Sequence, residues 1–308
     1  MFQSTGAIAL PRPLQRRVDQ MANAFLQPPR GPAIDFALPK GEPALVPADS
    51  VSWRVFKNPI PLFIGGIAAV LLELAEPRVR DGVWQHSSFR SDALTRLQRT
   101  GLAAMVTVYG PRRKAEAMIA GVVGRHGQVT GHTSEGQPYA ANDPILLDWV
   151  QATAGFGFMQ AYHTYARRLT PEERDAMFAE GYASASLYGA VGAPRSQDEL
   201  DALFETMKPH LVGSPIIFEF LDIMAKVPAF PAVARPLQRM MLKAAVDLLP
   251  LWLRERLDLG PRWSLRPWER TLVRAAARAG DRIVLRSSPA VQACRRMGLA
   301  DDYLYRRR

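Results

Sequence analysis

The sequence predicts an all-α protein, a multi-helix bundle with a Pro/Gly-rich N-terminal arm and a helical C-terminal extension. Three observations carry this. Apolar residues recur at helical rather than alternating spacing. Helix starts are marked by Ser, Thr or Asp followed by proline or acidic residues. Short capped turns join the periodic runs, and few stretches alternate as strands do. With 308 residues, 48% of them hydrophobic, the chain can bury a large core.

Residues 1–50 form the arm, rich in turns such as Pro28-Pro29-Arg30-Gly31-Pro32 and Pro39-Lys40-Gly41-Glu42-Pro43, with one short amphipathic helix expected at Leu14 to Leu26. A helical body over 51–285 follows, and 286–308 is a basic tail. From Pro59, Leu62, Ile64, Ile67, Val70, Leu71 and Leu74 are apolar nearly all round a helix, which marks a central element until Pro77 stops or kinks it. Ser91-Asp92 caps a helix carrying Leu94, Leu97, Leu102, Met105 and Val108, broken at Gly110-Pro111. The next helix runs from about Arg112 to Arg125, with Ala115, Met118, Ile119 and Val122 inward and His126 in its C-terminal turn before Gly127. A polar segment, Gly131 to Pro138, reads as hairpin or coil. Asp143-Pro144 starts a helix that continues toward Tyr165. Thr170-Pro171-Glu172-Glu173 is a capping box, and Ser196-Gln197-Asp198-Glu199 begins another helix.

The formal charge of +10 raises the question of nucleic acid. No stacking-aromatic motif, zinc finger or helix-turn-helix accompanies it, so no nucleic-acid partner is expected. Much of the excess lies near the ends, at Arg12, Arg16, Arg17, Arg295, Arg296 and Arg306 to Arg308, where basic clusters are usually solvated. Such charge suits peripheral attraction to an anionic membrane face. The opening residues do not read as a secretory signal, and a cytoplasmic location is expected. Ile60 to Ala75 contains Pro61, Gly65, Gly66 and Glu73, and falls short of the roughly 20 residues a spanning helix needs. The single Cys294 excludes an internal disulfide framework.

Arg96, Arg99 and Thr100 stand at i, i+3 and i+4, so they share one helix face, and His126 ends the following helix. The five histidines form no HExxH or Glu-x-x-His pair, which argues against a multi-histidine metal site. A metal held by one imidazole needs other ligands, and a porphyrin brings four nitrogens. Alone, a single histidine is more often structural, and the spacing leaves both readings open.

From Leu62 to about Tyr165 the chain resembles the catalytic domain shared by rubber oxygenases (latex clearing proteins) and MpaB-type oxygenases. The matching pieces are Gly65-Gly66, Val83 to Phe89 with His86, Arg96-Leu97-Gln98-Arg99-Thr100, Gly110, His126 with Val129 and Gly131, Gly136 to Pro144, and Leu147 to Val150. The resemblance implies a globin-like bundle holding haem b, with His126 of the His-x-x-Val motif as the iron ligand. It implies that Arg96, Arg99 and Thr100 serve the catalytic side and that Arg96 and His86 support the cofactor. The partners it implies are dioxygen and a hydrophobic small-molecule substrate. Rubber oxygenases carry lysine where Arg99 stands, and many relatives have histidine at Glu76 and Gln151. Those changes favour a pocket whose chemistry differs from rubber cleavage. The alternative is a non-catalytic helical haem- or lipid-binding module of the same fold.

Overall fold

A computed structural model describes residues 34–306 continuously, together with Gly6, Ala7, Ile8, Leu10, Pro11, Pro13, Gln15 and Asp19. The expected helix Leu14 to Leu26 lies largely outside the described residues. Thirteen helices of six residues or more are described, and they confirm the all-α prediction. Before the site they are α1 (Val51–Phe56), α2 (Pro59–Ala75), α3 (Pro77–His86), α4 (Ala93–Tyr109) and α5 (Arg112–His126). After it come α6 (Pro144–Ala161), α7 (Pro171–Tyr188), α8 (Gln197–Met207), α9 (Pro215–Lys226), α10 (Arg235–Leu248), α11 (Leu251–Arg256), α12 (Pro267–Gly280) and α13 (Pro289–Arg296).

The centre is α2, and its neighbours explain why it is apolar nearly all round. It packs on α6 along its length and meets α9, α10 and α12 on other sides. Two glycines set the distance between α2 and α6. A Cβ built on Gly65 would lie 2.6 Å from the Gly157 carbonyl oxygen, and one on Gly157 would meet the Gly65 carbonyl in turn. Backbone therefore touches backbone, which a side chain at either position would prevent.

Pro77 ends α2, and α3 leaves at 110°. Glu76 makes the corner: buried, it accepts the Val79 N–H at 2.9 Å and pairs with Arg78 at 2.7 Å. The Glu76 carboxylate thus serves as a helix cap. No single described helix is long and apolar enough to cross a membrane; α2 and α3 reach that composition only as this bent pair.

The expected starts of α6 and α7 are found. Asp143 accepts the Ile145 N–H, and Thr170 and Glu173 form the reciprocal capping box. Past Ala161 the α6 chain widens into one π-helical turn, Tyr162–Ala166. The polar segment before α6 is a hairpin, Thr130–His132 paired antiparallel with Pro138–Ala140.

The two ends of the described chain share in the core. Phe36, Ala44, Leu45 and Val46 are buried, as is most of α13. Arg296 departs from the solvated position expected of a basic cluster and is 1% exposed. Its guanidinium donates to the carbonyls of Glu42 (2.8 Å), Phe36 (2.6 Å) and Tyr109 (2.7 Å). Three converging carbonyl dipoles stand in for a carboxylate, and the planar fork of arginine matches them.

Candidate functional site

Helices α4 and α5 are consecutive and turn back on each other through Gly110-Pro111, which brings the start of α4 to the end of α5. Asp92 accepts the Thr95 N–H at 3.3 Å to begin α4. Gly127, Gln128 and Val129 close α5 by donating to the carbonyls of Val123, Arg125 and His126, and Asn142 Nδ2 adds a bond to Val123 at 3.2 Å.

His126 lies half-buried in that last turn. The closing turn takes up the three carbonyls just named. His126 Nδ1 is buried with no hydrogen-bond partner among the described residues. Burial first, then the charges of Arg96 and Arg125, hold the imidazole below its ordinary pKa and favour the neutral ring. A neutral ring is the form that ligates a metal.

Arg96 is half-buried, and its Nε is also buried without a partner among the described residues. Its guanidinium lies 5.7 Å from the centroid of Phe89. Desolvation lowers its pKa, the charge of Glu73 opposes that shift, and Arg99 adds to it. Glu73 is the residue that sequence reasoning missed. Burial pushes its carboxyl up to about 7, against the charge of Arg96 and a 3.5 Å hydrogen bond from Thr153. Glu73 on α2, Arg96 on α4 and His126 on α5 therefore form one electrostatic cluster with Arg96 in the middle. The available signal was a lone carboxylate in an otherwise apolar central helix, since such a group is seldom enclosed without a task.

The other expected site residues sit differently. Arg99 and Thr100 are exposed, and the Thr100 hydroxyl donates to the Arg96 carbonyl at 3.0 Å, within its own helix. His86 is exposed at the end of α3. Since the Tyr139 hydroxyl donates to Gln85 at 3.0 Å, His86 Nε2 serves as donor to that hydroxyl at 3.2 Å. These contacts tie His86 to the hairpin. Trp149, Tyr162 and Tyr165 are core residues. Met241, Leu242, Leu248, Leu249 and Leu253 are buried in the core too, while Leu251 beside them is 68% exposed.

The wall around His126 is apolar but loosely covered. Only Ala115 and Ile119 are buried on α5, while Met118, Val122 and Val123 are half-buried. No group of three or more His, Cys, Asp or Glu residues among those described could hold a bare metal ion. The residues present do fit a flat apolar cofactor that brings most of its own ligands. An unpartnered neutral imidazole would take the metal, half-covered aliphatic side chains would take the ring, and arginine would take anionic substituents.

Comparison with curated proteins and with solved structures finds no match. A family model does match, described as ER-bound oxygenase mpaB/B'/rubber oxygenase, catalytic domain, over residues 53–280. That span runs well past the stretch whose motifs carry the resemblance and takes in Glu73, Arg96 and His126 together. The chain belongs to the MpaB and rubber oxygenase catalytic-domain family.

Proposed function

We propose that the protein is a haem b-dependent oxygenase acting with dioxygen on a hydrophobic organic substrate, and that 51–285 is a globin-like body built to hold the haem. The observation that carries this reading is the orphaned Nδ1 of a neutral, half-buried His126, set beside the half-buried Arg96 on an apolar wall. His126 is the iron ligand on this reading. When bound, haem b supplies the iron needed for oxygen chemistry.

The chain's own groups have separable tasks. Arg96 keeps a fixed positive charge in a place of low polarity, where it stabilises negative charge on substrate, oxygen or propionate. Glu73, titrating near 7, holds a proton at its carboxyl close to neutral pH and can release or accept it there. Arg99 and His86 line the outer approaches. The exposure of Arg99 and the bonded hydroxyl of Thr100 favour the second reading, a haem- or lipid-binding module without turnover.

Protein supplied with haem is expected to form a saturable one-to-one complex with a Soret band, lost or shifted in His126→Ala. Absence of any saturable complex in the parent protein would overturn the reading. An unchanged spectrum in His126→Ala would remove His126 from it. Haem uptake without substrate-dependent oxygen consumption would select the non-catalytic module.

A further inference from the structure

We propose that the outer face of α12 seats the protein on an anionic lipid surface. The helix has two contrasting sides. Glu269, Val273 and Ala277 face the core, and the only acid of the helix, Glu269, is turned inward onto Lys243 at 2.8 Å. The opposite side is exposed in two neighbouring stripes. Trp268, 52% exposed, and Leu272, 48% exposed, stand one turn apart, and exposed Ala275 continues their line. Beside them run Arg270, Arg274 and Arg278, all exposed, at four-residue intervals.

This charge is scarcely compensated. Arg270 shares Asp247 with Arg254, at 3.1 and 3.2 Å. Among the described residues, Arg274 and Arg278 have no carboxylate within ion-pair distance. Exposed Arg262 and Arg266 extend the basic surface at the N-terminal end of the helix.

An exposed tryptophan with a leucine one turn on is poorly served by water, while the boundary of a bilayer suits an indole and the long stems of arginine. The stripes are complementary to such a boundary, apolar groups entering it and guanidinium groups meeting phosphate. Polyanions lacking an apolar phase would match the arginines and leave Trp268 and Leu272 unused. The helix spans about 21 Å and is already packed on α10, so binding orders no chain. None of this involves His126, and it holds with or without haem.

Flotation of the full chain with phosphatidylcholine vesicles, alone or containing phosphatidylglycerol, tests the proposal. Binding is expected only with the anionic lipid. Arg274→Glu with Arg278→Glu should weaken partitioning roughly 25-fold or more, since each arginine at an anionic surface contributes about fivefold. Trp268→Ala with Leu272→Ala should weaken it at any salt concentration. Arg112→Glu with Arg113→Glu removes equal charge from the exposed start of α5 and should change binding much less. All six positions are exposed, and unchanged thermal unfolding verifies the fold. Equal losses from the two charge-reversal pairs would reduce the effect to net charge and overturn the proposal. So would vesicle binding indifferent to Trp268→Ala with Leu272→Ala, and a short duplex DNA retained through the same arginines would then identify a polyanion surface.

Discussion

The contact between α2 and α6 and the wall formed by α4 and α5 are both helix pairs of similar length, yet they are built on opposite terms. Between α2 and α6, glycine lets backbone meet backbone, and the flanking Ile64, Leu71, Leu72, Trp149 and Ala152 are buried. Along α5 only Ala115 and Ile119 are buried while Met118, Val122 and Val123 are half covered, and two buried polar atoms, His126 Nδ1 and Arg96 Nε, have no partner among the described residues. Close packing contributes stability, and an unpartnered buried polar atom costs it. The two unpartnered atoms cost stability at the α4–α5 wall, and the close-packed α2–α6 core beside it offsets that cost.

Three substitutions probe that contrast. Gly65→Ala places a methyl group against a carbonyl that cannot move independently, and a loss of about 3 kcal/mol is expected in urea unfolding. A loss below about 1 kcal/mol would show that the two helices separate easily. The second is Glu73→Gln. The unfolded carboxyl ionises near 4.5, while the folded one keeps its proton to about 7. Stability therefore falls as pH rises from 4.5 to 7 and stays low above it. Glu73→Gln should stabilise by about 3 kcal/mol at pH 8 and have little effect at pH 4. Equal effects at both pH values would refute the raised pKa. The smallest change is expected for Gly124→Ala on α5, where a built Cβ meets nothing within 4 Å. A gain of about 0.8 kcal/mol from helix propensity should appear in the thermal midpoint. A loss would mean that this wall packs as tightly as the core.

The same contrast separates what could be read in the sequence from what could not. Caps and breakers act within a few residues, so Asp143-Pro144, Thr170 with Glu173, and Gly127 after His126 disclosed their helix ends directly. The apolar surround of α2 disclosed its central place for a similar reason. Depth is another matter. Spacing put Arg96, Arg99 and Thr100 on one face, but only tertiary packing decides that Arg96 turns inward while the other two meet solvent. Glu73 and Arg96 belong to different helices, and no local pattern joins them. Arg296 looked like surface because its partners are backbone carbonyls, which carry no side-chain signature.

Arg296 also has a consequence for how the chain reaches its fold. The carbonyls it binds belong to residues 187 to 260 positions earlier in the chain. During synthesis those carbonyls emerge long before their donor, at about 5–20 residues per second. The segment around Phe36 and the end of α4 must therefore wait tens of seconds with water as their partner. Closure of this part of the core is a late step in biogenesis, and the nascent chain offers an unfinished surface there until α13 arrives.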